Sequence, residues 1–500
     1  MSLSEQQIIR RNKLNKIKTL GINPYPSKEY LINNTAENIH KNFVDKKKVS
    51  IAGRLMSLRI LGKVSFGEIK DNTGRIQIYI KKNYLYIDNI RKEDIYNIFI
   101  KKLLDIGDII GIKGFLFKTK MNEITIYIRK LTLLSKSIRP LPQVKISRDK
   151  KIYDKFSDVE QRYRMRYVDL IVNDKVKNIF FKRTKIIKKI RKFLDKKGYL
   201  EVDTPILQPI PGGAIARPFI TYHNTLGIPL YLRIANELYL KRLIVGGFNG
   251  VYEFSKNFRN EGMDRYHNPE FTVLELYVAY KDYYWMMNFT EKLITSIFIE
   301  FDYKIINKNN KIYNSLQFSK ISILDSIKKY TGFDIKNMNK IDLIKICIAL
   351  KINYEKKWNK CKIIEHIFDE KCKKNYVNPT FITDYPLEMS PLTKKHRENE
   401  HLSERFELII NGQEIANAYS ELNDPIDQLD RLKKQIEYKN KKELENNSLI
   451  DEDFVRSLEF GMPPTAGIGI GIDRLIMLLT GQRSIQEVLF FPQMRPKKIT

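Results

Sequence analysis

Near its C-terminal end the chain runs Gly467-Ile468-Gly469-Ile470-Gly471-Ile472-Asp473-Arg474, in which glycine alternates strictly with a β-branched residue as far as Ile472. Side chains on a strand point to opposite faces with a period of two. The segment is therefore a strand with one isoleucine face and one bare face, and a helix follows from about Asp473. The isoleucine face needs a core to cover it. The bare face suits either a closely packed neighbour or a flat ligand, and Arg474 adds a guanidinium able to stack on a base and neutralise phosphate oxygens. The spacing is not that of the dinucleotide fingerprint GxGxxG, which also needs a strand, turn and helix within a βαβ unit.

A chain of 500 residues is too long for one ordinary core, so two or more domains are expected, and 43% hydrophobic content is enough to fill them. The 89 Lys and Arg against 58 Asp and Glu leave a formal charge of +31. That suits a polyanionic partner such as nucleic acid. Lys, Ile, Asn and Tyr crowd every segment, however, so nucleotide bias accounts for a lysine-rich surface equally well. Cys347, Cys361 and Cys372 form no CxxC pair and leave an odd count. A disulfide framework and a thiolate zinc site are thereby disfavoured, and a reducing cytoplasm fits. The N-terminus is too polar for a signal h-region and no apolar run is long enough to span a bilayer, so a soluble cytoplasmic protein without a membrane partner is expected.

Short β-branched runs alternate apolar and polar at 49–60, 65–70, 75–81, 108–117 and 123–134, with turn signals at Asp71-Asn72-Thr73-Gly74 and Lys120-Met121-Asn122. A helical stretch from Asp94 to Leu104 falls between the third and fourth. That is the order of an OB-fold, a five-stranded barrel that often binds single-stranded nucleic acid. Arg139-Pro140-Leu141-Pro142 then interrupts regular structure. The organisation expected is an N-terminal helical extension over 1–48, the barrel over 49–138, a linker over 139–172, and a larger mixed domain over 173–500. The larger domain opens with a basic amphipathic helix, Val176–Lys197, closed by Gly198, then strand Tyr199–Val202 and Thr204-Pro205. A Lys/Asn-rich, mostly helical insertion spans about 302–380, with no chemistry visible in it.

Two hairpins carry chemistry-bearing residues. Phe258-Arg259-Asn260-Glu261, a charged turn, and His267-Asn268-Pro269-Glu270-Phe271 read as an antiparallel pair. Strand alternation puts Arg259 and Glu261 on one face of the first arm, and Phe271, Glu275 and Tyr277 on one face of the second. The second hairpin joins Phe406–Ile410 to Gln413–Ala416 through Asn411-Gly412, a sequence favoured in a type I′ turn. Pairing Ile409 with Glu414 sets Glu407 and Glu414 on the same side, where they could hold Mg²⁺ together with phosphate oxygens. Each pattern alone would equally suit solvated surface charges.

Thr204-Pro205, the 258–271 hairpin and Gly-Ile-Gly-Ile-Asp-Arg, taken in order, resemble the three motifs of class II aminoacyl-tRNA synthetases. Three longer strings resemble the lysyl branch of that class: Ile210-Pro211-Gly212-Gly213-Ala214, 237–243 (Glu-Leu-Tyr-Leu-Lys-Arg-Leu) and 414–424 (Glu-Ile-Ala-Asn-Ala-Tyr-Ser-Glu-Leu-Asn-Asp). The similarity runs from about Glu5 to Pro492. It implies an α+β protein: an OB-fold anticodon-binding barrel followed by a catalytic domain on a mainly antiparallel β-sheet flanked by helices. It implies ATP-dependent activation of lysine and its transfer to the terminal adenosine of tRNA(Lys), with Mg²⁺ as cofactor and a homodimer formed through the helix before Pro205.

By the same resemblance, Arg259 binds the α-phosphate, Glu261 and His267 contact the nucleotide, Phe271 and Arg474 sandwich adenine, and Glu407 and Glu414 hold metal. Glu237 and Glu421 meet the substrate ammonium, Glu275, Tyr277, Asn417 and Tyr419 complete the pocket, and Gly213 lies near the substrate amino group. Phe66, Gln77 and Glu123, with Arg59 alongside, match positions that read the central anticodon uridine. From the residues alone, Glu237 equally pairs with Lys241 four residues on along a helix. Asn417, Tyr419 and Glu421 have the opposite strand parity to Glu414, so a bulge or kink near Ala416 is required if all face one pocket. Ala418 and Tyr419 stand where the family often has glycine and phenylalanine, and Met165 interrupts a family-like Arg-Tyr-Arg-x-Arg-Tyr run. The competing readings are an aspartyl- or asparaginyl-tRNA synthetase, a non-catalytic tRNA-binding paralogue, and a paralogue that lysylates protein.

Overall fold

The structure, a computed structural model, describes residues 3–496 apart from 89, 91–93, 143–144, 147–151, 154–155, 215, 304, 307–311, 314–316 and 438–449. Part of the expected linker therefore lies outside the described residues. The chain divides into two units, Met1–Asp158 and Val159–Thr500.

In the first unit, helices α1 (Glu5–Thr19) and α2 (Ala36–Lys41) precede five strands. These are β1 (Lys48–Leu61), β2 (Val64–Lys70), β3 (Arg75–Lys81), β4 (Ile109–Lys118) and β5 (Ile124–Ser135). They pair in the order β3-β2-β1-β4-β5, and β3 closes on β5 in parallel to complete the barrel. Ile17, Ile22, Ala36 and Ile39 of the N-terminal extension pack into the barrel core beside Ile51, Ile78 and Ile126. The Asp71 turn forms as its chemistry dictates, with Asp71 Oδ1 accepting from the amides of Thr73 (2.7 Å) and Gly74 (2.9 Å). Tyr86–Ile87 adds a short strand on the β5 edge that the sequence pattern did not signal. The helix expected from Asp94 to Leu104 runs over Tyr96–Leu103 with π-type winding, ending where Leu104 N donates to Phe99 O at 2.8 Å.

The second unit is built on an eight-stranded sheet. Helix α3 (Asp174–Asp195) starts two residues before its expected first turn. It closes at Gly198 (φ +76°), where Gly198 N donates to Asp195 O and Tyr199 N to Leu194 O. The strands are β6 (Leu200–Glu201), β7 (Gly250–Phe258), β8 (Glu270–Ala279), β9 (Ser319–Ser322), β10 (Thr380–Pro386), β11 (Leu402–Ile410), β12 (Gln413–Ser420) and β13 (Thr465–Gly471). Their order is β9-β10-β11-β12-β13-β8-β7-β6, antiparallel except for the outermost pair at each edge. The isoleucine face of the glycine strand behaves as expected: Ile468 and Ile470 are buried against Leu274, Leu276, Phe406 and Leu408 and the apolar sides of α3, α5 (Tyr283–Glu300) and α6 (Ile472–Thr480). The opposite face is left for the site.

Between 302 and 380, helices Ile323–Thr331, Lys340–Ala349 and Lys360–Ile367 share a core of Ile327, Leu343, Ile346, Ile363 and Ile367. The helical pattern holds, but the segment is not merely appended. Ser319–Ser322 extends the main sheet, and Ile409 of β11 is buried in the same core.

Candidate active site

Strand register gives the site its axis. Gly467 lies between Tyr277 of β8 and Tyr419 of β12, and Gly469 between Glu275 and Asn417, while Gly471 faces Val273. The bare face is thus already furnished. A Cβ at Gly467 would collide with Glu421 Oε1 and lie 2.6 Å from Tyr277 Cε1, and one at Gly469 would lie 3.0 Å from Glu275 Oε1. Of the two readings of the bare face, close packing holds at Gly467 and Gly469, which make room for the pocket's own side chains. Only at Gly471, with Arg474 Cδ 3.7 Å away as the nearest neighbour, is there space. A cavity of about 680 Å³ runs over this face. It is lined by Gly213, Glu237, Arg259, Glu261, His267, Phe271, Glu275, Tyr277, Glu414, Asn417, Tyr419 and Arg474, but not by Glu407 or Glu421.

At the Gly471 end, β7 stops at Phe258, so strand alternation is not what orients Arg259 and Glu261, contrary to the sequence expectation. Arg259 instead continues the pairing by one bond, its N donating to Pro269 O at 2.8 Å, and its guanidinium sits 5.1 Å from the Phe271 ring. Burial depresses the Arg259 pKa against the pull of Glu261, Glu414 and Glu275. Among the described residues its Nε has no hydrogen-bond partner. In the loop, Asp264 was not singled out from sequence, yet it orders the turn: Oδ1 accepts from Tyr266 N and His267 N, and Oδ2 meets His267 Nδ1 at 2.8 Å. Arg474 Nη2 lies 3.2 Å from His267 Nε2 and can only donate, so the proton of a neutral His267 belongs on Nδ1, facing Asp264. Thr204 lies away from the cavity and serves the scaffold, its hydroxyl donating to Glu253, which also pairs with Arg233 at 2.7 Å.

The second hairpin forms with the expected turn, Asn411 and Gly412 both having positive φ (51° and 71°), and with Ile410 opposite Gln413 and Ile409 opposite Glu414. The register then slips, for Leu408 pairs with Ala416 and leaves Ile415 unopposed. This bulge, one residue from where parity demanded it, lets Glu414 share a side with Asn417 and Tyr419. Burial pushes the Glu407 pKa up to about 7, and Glu414 adds to the rise by repulsion. Burial opposes ionisation of Glu414 too, but Arg474, Lys373 and Arg405 hold it below the usual carboxylate range. Two of these cations were missed from sequence. Arg405, two residues before Glu407 on the same strand face, donates to Glu407 Oε1 (2.7 Å), Asn417 Oδ1 (3.0 Å) and Ser390 Oγ (3.0 Å). Lys373 comes from the 302–380 segment and pairs with Asp369, so that segment does bring charge to the site.

At the Gly467 end, Glu237 opens helix α4 (Glu237–Val245) and aims into the cavity. Its Oε1 accepts from Tyr419 OH and from Lys241 Nζ, both at 2.6 Å. The helical i, i+4 pair and the pocket role thus coexist. Glu421 is 1% exposed and pairs with the same Lys241 at 2.5 Å. Tyr277 donates to Glu275 Oε2 at 3.0 Å, and burial, with Glu237 nearby, pushes the Glu275 pKa up to about 8. Gly213 adopts φ +84°, and a Cβ there would lie 3.4 Å from the Glu237 Cβ.

In the first unit, Arg59 of β1 pairs with Phe66 of β2, Phe66 with Tyr79 and Gln77 with Thr125. Gln77 Oε1 accepts from Thr125 Oγ1 at 2.7 Å, and exposed Glu123 precedes Thr125 by two residues. Phe66 is half-buried on the outer face, its ring centre 5.0 Å from that of Tyr79. Tyr79 in turn touches Phe117 and Tyr127. These three aromatics alternate correctly on their strands but were not assigned from sequence.

Residues 158–495 match the family model for tRNA synthetases class II (D, K and N), and residues 49–134 match that for the OB-fold nucleic acid binding domain. The chain is 55% identical over 506 residues to a lysine–tRNA ligase of Porphyromonas gingivalis, covering 100% of this chain and 87% of that protein. It is 57% identical over 505 residues to a lysine–tRNA ligase of Azobacteroides pseudotrichonymphae, covering 99% and 100%, and 55% identical over 503 residues to one of Christiangramia forsetii, covering 99% and 87%.

Proposed function

Because the chain belongs to the class II tRNA synthetases, and within them to the lysine–tRNA ligases, we propose that the cavity over the glycine strand is where ATP and lysine meet. The observation that carries this reading is the register. Gly471, beside Arg474, and Gly467, between Tyr277 and Tyr419, are four residues apart, roughly 13 Å along a strand. One end offers guanidinium groups, the other buried carboxylate and phenol. A nucleotide lies at the first and an alkylammonium side chain at the second, which brings the lysine carboxylate and the α-phosphorus together between them.

The reaction needs no nucleophile from the protein. The lysine carboxylate attacks the α-phosphorus and expels pyrophosphate, and a ribose hydroxyl of the terminal adenosine of tRNA(Lys) then attacks the adenylate carbonyl and releases AMP. Arg259 neutralises charge developing on the α-phosphate, Arg474 and Phe271 hold adenine, and Glu261 and His267 contact the nucleotide. Glu237 meets the substrate ammonium; Glu421, which the resemblance sets beside it, is paired with Lys241 and does not line the cavity, so it shapes the pocket together with Glu275, Tyr277, Asn417 and Tyr419, and Gly213 lies by the substrate amino group. Glu407 and Glu414 would hold Mg²⁺: Glu414 lines the cavity, and its charge adds to the cost of ionising Glu407, which a cation would relieve. Such an ion supplies charge neutralisation at the phosphates when bound.

Among the described residues no helix is long and apolar enough to cross a membrane, and the three cysteines are free thiols, which supports a cytoplasmic setting. A homodimer is supported by the apolar side chains exposed around Ile206–Ile228, among them Leu207, Ile220, Tyr222 and Leu226. Given a panel of amino acids, the protein should catalyse ATP–pyrophosphate exchange with lysine and lose it on chelation of Mg²⁺, while migrating at twice its 59.2 kDa. Exchange driven by aspartate or asparagine would overturn the pocket reading, exchange persisting in chelator the metal pair, and migration as a single chain the dimer.

On the barrel, Phe66 with Tyr79 forms the stacking platform for the anticodon, and Arg59, Gln77 and Glu123 read base edges beside it. Phe66→Ala should raise the KM for tRNA by about 5- to 100-fold, the worth of one stacked base. Exchange without tRNA should not change. An unaltered tRNA KM would remove Phe66 from the interface.

A further inference from the structure

Lys241 is fully buried, yet it is neither part of the hydrophobic core nor a group that the reaction requires. Its Nζ lies 2.6 Å from Glu237 Oε1 and 2.5 Å from Glu421 Oε2. It also lies 5.6 Å from the centre of the Tyr419 ring and 5.9 Å from that of Phe454. A lysine so enclosed is costly unless its charge is met, and here two carboxylates meet it. Among the described residues Glu421 Oε1 has no hydrogen-bond partner, and it occupies the space a Cβ on Gly467 would need, beside the Tyr277 ring. Of the three ionic groups only Glu237 reaches the cavity wall.

We propose that Lys241 is the fixed counter-ion of the amino-acid pocket, a positioning residue that sets the charge the substrate side chain meets. This rests on the reading that the pocket accepts lysine. Burial opposes ionisation of Glu421 and the adjacent Lys241 ammonium offsets it; with both carboxylates of the triad charged and Glu275 kept neutral by burial, the pocket carries a single net negative charge, the complement of one incoming ammonium. Without Lys241 the two carboxylates, confined together away from water, would repel and share a proton, as paired acids do. With Lys241 but without Glu421 the triad would be neutral, and Glu237 would hold the resident lysine at the expense of the substrate. Specificity for a monocation thus comes from a count of charges, not from Glu237 alone.

The test is a set of three variants read by the KM for lysine and for ATP in pyrophosphate exchange. Glu421→Gln should raise the lysine KM by roughly a hundredfold, the scale of a broken buried pair, and leave the ATP KM within about twofold. Adding Lys241→Met to that variant restores a single negative charge and should recover most of the lost lysine affinity. Lys241→Met alone should be impaired in lysine KM. If that single variant fails to fold, the comparison of Glu421→Gln with the double variant still decides the matter. A double variant worse than Glu421→Gln, or equal shifts in the lysine and ATP KM, would overturn the proposal and leave Lys241 a structural ion-pair partner. Because the wild type is assayed alongside, failure of the charge count with normal lysine-driven exchange leaves the substrate reading intact. Absence of lysine-driven exchange in the wild type would overturn both.

Discussion

Arg259→Gln is expected to lower lysine-dependent pyrophosphate exchange by about 10³-fold, the loss that follows removal of one preorganised donor from a developing anion. The substitution should not lower thermal stability. Arg259 makes no ion pair within 4 Å among the described residues, its Nε is buried without a partner, and burial already depresses its pKa. A buried guanidinium held this way is a cost to the ligand-free fold that an arriving phosphate relieves. Loss of the cation therefore removes transition-state stabilisation while leaving the folded protein as stable or more so. Steady-state exchange and a thermal melt, with and without ATP, check both halves. A melt lowered by several degrees, or a rate loss under about tenfold, would mean that the guanidinium braces the loop and does not serve the phosphate.

That residue also shows what the sequence can and cannot say. The motif marks Arg259 by order and spacing, but the reason for its orientation is misread if the first arm is taken as strand to Glu261, for β7 ends at Phe258. Periodicity does well where local chemistry decides. The barrel strands and the Asn411-Gly412 turn follow from alternation and turn residues. The bulge follows from setting strand parity against the pocket roles that the family resemblance gives to Glu414, Asn417, Tyr419 and Glu421. What was missed depends on partners distant in sequence. Arg405 matters because Glu407, Asn417 and Ser390 converge on it, and Lys373 because residues 373–376 lie against the Asn411-Gly412 turn. Lys241 was visible only as a helical neighbour of Glu237, since its second carboxylate is 180 residues away in the chain. The bare glycine face stayed open between close packing and a ligand for the same reason: no local pattern reveals that Glu421, Tyr277 and Glu275 fill it.

Glu237→Gln is expected to raise the KM for lysine by 10²-fold or more, corresponding to about 3 to 5 kcal/mol for breaking a buried charge pair, with the KM for ATP within about twofold. Glutamine preserves the shape, and its carbonyl oxygen can still accept from Tyr419 OH, which lies 2.6 Å from Glu237 Oε1. Only the charge is lost. Glu275 cannot replace it at neutral pH, because a carboxyl whose pKa stands near 8 is mostly protonated there. Glu421 cannot replace it either, because its carboxylate is held by Lys241 and does not line the cavity. The consequence separates Glu237 from its neighbours. Lys241→Met should rescue Glu421→Gln, as the charge count requires, but should not rescue Glu237→Gln, since no remaining carboxylate reaches the substrate. Lysine titrations of the single and double variants decide this. Rescue of Glu237→Gln to near wild-type KM would mean that net charge alone recognises lysine, and that direct contact with Glu237 contributes little.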